Sequence, residues 1–215
     1  MKLIVKICGT TTLEDAVGAV AAGADMLGFI LFPKSPRYVT PAQVAAIVAA
    51  LRRSGHTLPL VGVFVNAAPT AVRATLDETG LDLAQLHGDE DAAAFRVLAG
   101  RIYKALRPQG VEDALAAAAV WAPLAGEQGP QLLVDAYDPR AYGGTGQKAD
   151  WGVAAEVARR YPRLLLAGGL APANVGEAVH SVWPWGVDVA SGVERAPGSK
   201  DLDTVRAFVA AAKPA

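Results

Sequence analysis

The chain has 215 residues, 52% of them hydrophobic and 19% charged, with 20 Lys+Arg against 21 Asp+Glu for a net charge of −1. That length suits one globular domain, and the near-neutral balance excludes binding a nucleic-acid backbone or an anionic membrane by charge alone. The single cysteine, Cys8, excludes an internal disulfide or a multi-cysteine zinc site and points to a reducing cytoplasm.

Met1-Lys2 runs straight into an apolar segment, Leu3–Ile7, with no leader-type cleavage site behind it. Leu3–Ile7 is the first predicted strand. The others are Met26–Leu31, Leu60–Val65, Leu83–Leu86, Ile102–Leu106, Leu132–Val134, Leu164–Ala167 and Val187–Ala190. Their starts lie roughly twenty to thirty-odd residues apart, about one βαβ step each. Most are apolar on both faces, as parallel strands covered on both sides should be.

Between them lie helix signals. Thr11 with Glu14 reads as a capping box before Leu13, Val17 and Val20. Thr40-Pro41-Ala42-Gln43 is a second box, followed by Val44, Ile47, Val48 and Leu51 on one face. The uncharged stretch Ser54–Val72 holds Pro59, Asn66 and Pro69 and reads as a strand and a helix start, not a membrane span. Val111–Val120 is mostly alanine and leaves open whether the fifth unit has a regular helix. Ala171-Pro172 and Ser199–Asp201 open the last two helices.

Eight βα units can close as a barrel or split into an open doubly wound sheet. An open sheet usually carries a Gly-rich dinucleotide turn after its first strand, whereas the first strand here ends in Cys8-Gly9-Thr10. Gly144-Thr145-Gly146-Gln147-Lys148-Ala149 matches G-x-G-x-x-A by letters, but it lies well past the sixth strand and has no acidic residue about twenty positions on. The expected fold is therefore α/β, a single-domain (β/α)8 TIM barrel over residues 1–215, near minimal size.

In a barrel the groups that act on substrate sit at the C-terminal strand ends and in the loops that follow. That rim comprises Cys8, Phe32–Arg37, Asn66, Gln85, His87, Arg107, Asp135, Gly168-Gly169 and Ser191-Gly192. A thiol, a carboxyl, an imidazole and several cations together suggest acid–base chemistry on a small anionic molecule. Glycines after the seventh and eighth strands let backbone N–H groups approach a phosphate, although they also suit a tight turn. Each side chain has an ordinary reading as well. Cys8 can be a small buried hydrophobe, Asp135 a loop cap, Arg37 a solvated cation and His87 a helix-entry residue. Pro33 and Pro36 stiffen the loop before Arg37, which favours a fixed carboxylate clamp.

Taken in order, these motifs resemble a known family. They are Lys6-Ile7-Cys8-Gly9, Gly28-Phe29-Ile30 with Ser35–Val39, Val61–Asn66, Gln85-Leu86-His87-Gly88, Gly143–Gly146, Ala167–Leu170 with Asn174-Val175, Gly186–Glu194, and Gly198 with Lys200-Asp201. The set resembles phosphoribosylanthranilate isomerase of tryptophan biosynthesis across essentially the whole chain. The resemblance implies an Amadori rearrangement of an aminoaldose to an aminoketose, with no redox cofactor and no metal. It implies Asp135 as general acid and Cys8 as general base, each worth about 10²–10⁴-fold. It implies Arg37 on the anthranilate carboxylate and Gln85, His87 and Asp188 about the substrate. Gly144, Gly146, Gly168, Gly169, Ser191 and Gly192 would surround the phosphate, and the Tyr137–Lys148 loop would close over it. The implied partner is this small-molecule substrate alone, with no nucleic acid and no membrane; the chain would be a monomer or a homodimer.

Two other readings compete. A different phosphosugar barrel would share the phosphate loops, but the histidine-pathway isomerases use paired carboxylates and the next tryptophan-pathway synthase uses Lys and Glu. A non-catalytic phosphometabolite-binding barrel could dispense with Cys8 and Asp135 together. Closure of a barrel would also set the eighth strand beside the first, so Lys6 and Asp188 are expected to meet as an interior ion pair.

Overall fold

The computed structural model describes residues 2–135 and 149–213, so Gly144, Gly146 and the Tyr137–Lys148 loop, expected above to meet the phosphate, lie outside the described residues. Eight parallel strands close a barrel in sequence order: β1 (Ile4–Ile7), β2 (Met26–Ile30), β3 (Leu60–Phe64), β4 (Leu83–Leu86), β5 (Ile102–Leu106), β6 (Leu132–Val134), β7 (Leu164–Leu166) and β8 (Gly186–Val189). Closure is made by β1 on β8, with Lys6 opposite Asp188. The open doubly wound alternative is thereby excluded.

Period-two alternation sorts the side chains. Val5, Ile7, Leu27, Phe29, Leu60 and Phe64 point outward into the main core against the helices. Met26, Val61, Tyr103, Ala105, Leu133 and Leu165 form a separate cluster inside the barrel. On the inward positions nearest the C-terminal rim the apolar residues give way to Cys8, Gln85, Asp135 and Asp188, all buried. The polar site therefore stands on an apolar plug.

The helices are α1 (Leu13–Ala21), α2 (Pro41–Arg53), α3 (Pro69–Thr79), α4 (Ala92–Phe95), α5 (Val111–Trp121), α6 (Trp151–Arg160), α7 (Val175–Val182) and α8 (Leu202–Ala212). α2 has the expected capping box, and Val44, Ile47, Val48 and Leu51 are its buried face. The fifth unit does have a regular helix, packed through Ala114, Ala118 and Trp121. Alanine lets α5 lie close to the sheet even though its amphipathic signal is weak.

Two starts differ from the sequence reading. The cap of α1 is Thr12, which accepts from the Asp15 amide, while Thr11 Oγ1 donates to the Gly198 carbonyl at 2.5 Å. α7 begins after Asn174, not at Ala171-Pro172, because Asn174 ties the preceding loop together, accepting from the Ala171 amide and donating to the Gly169 carbonyl. A short hairpin, β9 (Glu194–Ala196) with β10 (Ser199–Lys200), precedes α8. Among the described residues no helix is long and apolar enough to cross a membrane.

Candidate active site

Cys8, Arg37, Gln85, His87, Asp135, Gly168, Gly169, Asp188, Ser191 and Gly192 line one cleft at the C-terminal rim, of about 680 Å³ counted to its open mouth. Asn66 and Arg107, also on the expected rim, do not line it. Asn66 accepts from the Asp89 amide and Arg107 pairs with Asp89 at 2.7 Å, so both organise the loop after β4.

Cys8 continues the β1 ladder, its amide donating to the Val189 carbonyl at 2.8 Å, and only 5% of the residue is exposed. Burial pushes its thiol up, with the Lys6 ammonium opposing that and Asp188 reinforcing it. Gly28 makes this packing possible, since a Cβ there would sit 2.7 Å from Cys8 Sγ and 3.0 Å from Lys6 Nζ. Lys6 is fully buried and bonds Asp188 at 2.7 Å and Gln85 Oε1 at 3.0 Å. Burial alone would lower the Lys6 ammonium, but the Asp188 carboxylate beside it, with Cys8 and Tyr103 adding, raises it.

Asp135 continues the β6 ladder, its amide donating to the Leu106 carbonyl at 2.9 Å, and its side chain is 9% exposed. His87 Nε2 approaches Asp135 Oδ2 at 3.2 Å. The alignment is not that of a hydrogen bond, and Nε2 makes no other among the described residues.

Arg37 is gripped from behind. Its Nε donates to both Glu194 oxygens at 3.0 Å, and its Nη2 donates to Oε2 at 2.8 Å. This fork leaves the Nη1 edge for a second anion. Glu194 also accepts from Lys200 Nζ at 2.8 Å, and Lys200 donates to the Cys8 carbonyl at 2.5 Å. Burial would raise the Glu194 carboxyl, but Arg37 and Lys200 hold it below the usual range. One carboxylate thus braces both the Arg37 guanidinium and, through Lys200, the backbone at Cys8.

Part of the cleft wall is bare backbone. Gly168 and Gly169 adopt φ of 87° and 64°, left-handed values that glycine takes without strain. A Cβ on Gly192 would come within 1.9 Å of the Leu170 carbonyl oxygen. Backbone and the Ser191 hydroxyl are what a ligand meets there, a surface suited to a phosphate. Among the described residues no group of three or more His, Cys, Asp or Glu could hold a metal ion.

Glu194, Lys200 and Tyr103 received no individual role in the sequence reading. Glu194 bonds Arg37 across 157 positions and Lys200 bonds Cys8 across 192, separations at which spacing carries no signal. A charged residue just past an apolar strand, as Glu194 is past β8, was the one local hint.

The family model described as N-(5'phosphoribosyl)anthranilate (PRA) isomerase matches residues 5–211. A relative from Citrifermentans bemidjiense, named N-(5'-phosphoribosyl)anthranilate isomerase, is 49% identical over 209 residues, covering 97% of this chain and 96% of that protein. The crystal structure of phosphoribosyl anthranilate isomerase from Thermotoga maritima superposes with a TM-score of 0.86 at 36% identity, covering 98% of both chains. A phosphoribosyl anthranilate isomerase in complex with reduced 1-(o-carboxyphenylamino)-1-deoxyribulose 5-phosphate gives 0.83 at 35% identity, again over 98% of both.

Proposed function

The chain belongs to the N-(5'-phosphoribosyl)anthranilate isomerase family, and we propose that Asp135 and Cys8 are the acid and base of its reaction, the Amadori rearrangement of N-(5-phosphoribosyl)anthranilate to 1-(2-carboxyphenylamino)-1-deoxyribulose 5-phosphate. Membership of the family makes it an isomerase of tryptophan biosynthesis. Its substrate is a small anion, and the cytoplasm is its proposed compartment.

The reading is carried by one observation: Cys8 and Asp135 line the same cleft as the Arg37 guanidinium and the Gly168, Gly169 and Gly192 backbone. A guanidinium and a glycine-rich backbone wall match a molecule that carries both a carboxylate and a phosphate. Arg37 would take the carboxylate on its open edge, while the glycines and Ser191 would take the phosphate.

Between them, Asp135 gives its proton to the furanose ring oxygen. The C1′–O bond breaks as the nitrogen lone pair forms a C1′=N iminium. The Cys8 thiolate then removes the proton from C2′, and that electron pair forms the C1′=C2′ bond of a neutral enolamine. Protonation at C1′ and loss of the enol proton give the ketone, so atoms and electrons balance without a co-reactant. Cys8 must first shed its own proton against the effect of burial, and Lys6 is the neighbouring charge that favours the thiolate. The phosphate-binding roles of Gly144 and Gly146 remain part of this proposal.

Turnover of phosphoribosylanthranilate, followed by loss of its fluorescence, tests the reading. Cys8→Ser and Asp135→Asn should each lower kcat by about 10²–10⁴-fold while a product analogue still binds. Wild-type rates in either variant would remove that residue from its role.

A further inference from the structure

Gln85 and His87 lie two residues apart on the inward side of β4 and its end, and Gln85 Nε2 meets His87 Nδ1 at 2.9 Å. An amide and an imidazole can make such a contact with either one donating. The rest of Gln85 decides which. Its Oε1 accepts from Lys6 Nζ at 3.0 Å and from the Tyr103 hydroxyl at 2.8 Å, both buried. An ammonium carries only donors, so the Gln85 atom facing Lys6 is the carbonyl oxygen and the atom facing His87 is the NH2 group. Lys6 is in turn locked to Asp188 at 2.7 Å. His87 Nδ1 therefore accepts, and a neutral imidazole that accepts at one nitrogen carries its proton on the other.

We propose that Gln85, oriented by Lys6 and Tyr103, fixes His87 as an Nε2–H donor beside Asp135. That N–H is 3.2 Å from Asp135 Oδ2 and makes no hydrogen bond among the described residues. Two consequences follow for the acid step, and they rest on the role proposed for Asp135. With Nε2 already protonated and Nδ1 engaged, His87 has no lone pair with which to take the proton that Asp135 must deliver to the ring oxygen. Once Asp135 has delivered it, a small shift turns the poised N–H into a charge-assisted hydrogen bond on the new carboxylate. Gln85, set about the substrate by the resemblance, thus becomes a positioning residue, as do Lys6 and Tyr103.

The tautomer can be read directly. The protein is labelled with 15N-histidine, and long-range 1H–15N correlations are recorded above the range where imidazole protonates. His87 is assigned among the three histidines by the signals that vanish in His87→Gln. The expected spectrum has a protonated Nε2 and an unprotonated Nδ1. Gln85→Glu faces Nδ1 with an acceptor and should move the proton to it. In that variant kcat should fall on the order of a hundredfold, within the span of a single acid–base contribution, while KM changes by no more than about threefold. Gln85→Met, which cannot donate and accepts only weakly, should release His87 into a mixture of tautomers.

A protonated Nδ1 in the wild type overturns the proposal, and that spectrum needs no variant to fold. An unchanged tautomer in Gln85→Glu also overturns it, and a switched tautomer with undiminished kcat overturns its catalytic consequence. If the wild-type protein failed to turn over phosphoribosylanthranilate, the function reading would fall while the spectrum still decided the tautomer.

Discussion

Lys6 Nζ lies 2.7 Å from Asp188 Oδ1 inside the barrel, at the seam where β8 closes on β1. The pair was expected from closure alone, and the distance is that of a direct charge-assisted bond. Its two charges are set beside Cys8 with opposite effects on the thiol. The seam is therefore both a structural joint and the electrostatic setting of the cysteine.

Removing one partner should cost far more than removing both. Asp188→Leu leaves a buried ammonium uncompensated and should destabilise the fold by about 3–5 kcal/mol. Lys6→Met combined with Asp188→Leu should recover most of that loss, since an apolar pair of similar volume is often neutral. Urea unfolding of the three proteins checks this. A double variant as unstable as Asp188→Leu would mean that packing, not charge, dominates the seam.

The buried, upward-shifted thiol should be slow to alkylate at neutral pH, with its rate rising with pH beyond the ordinary thiol range. Because Cys8 is the sole cysteine, intact-mass spectrometry with iodoacetamide reads it without ambiguity. Gly28→Ala, whose methyl would crowd Cys8 Sγ and Lys6 Nζ, should cost about 1–3 kcal/mol by overpacking and change that alkylation rate. Rapid modification at pH 7 in the wild-type protein would contradict the direction assigned to the thiol.

Glu194 is held below its usual value of 4.5 by Arg37 and Lys200, against the effect of its burial. A carboxyl whose folded value is depressed contributes stability that is full above the unfolded value and lost as pH falls through the folded one. Glu194→Gln should therefore be less stable than wild type by about 2 kcal/mol at pH 7, the scale of hydrogen bonds to charged groups. The gap should hold from pH 7 to 5 and narrow below 4.5. Substrate KM should rise about tenfold as Arg37 loses its brace, equivalent to roughly 1.4 kcal/mol. Denaturation at pH 7, 5 and 3 settles the sign, and a gap unchanged at pH 3 would refute it.

Much of the fold was readable because its determinants are local. The β4, β5 and β6 bounds match the apolar runs, and the α2 cap and buried face follow from Thr40 to Leu51. The exceptions lie where two local signals compete. Thr11 and Thr12 offer the same hydroxyl, and contact with Gly198 across the chain takes Thr11 away from the cap. Pro172 reads as a helix start, but the Asn174 side chain ties up the preceding loop through Gly169 and Ala171.

By itself, the order of apolar runs and motifs determined a barrel, its family and the residues gathered at the rim, because strand ends follow from where each apolar run stops. The orientation of those residues came only with closure. Arg37 braced by Glu194, Lys200 beneath the Cys8 carbonyl, and the Gln85 amide turned by Lys6 and Tyr103 all join segments from different strands and loops. Hydrogen bonds are directional and short, so which atom faces which is set by the three-dimensional packing of the ring and not by the spacing of residues along the chain.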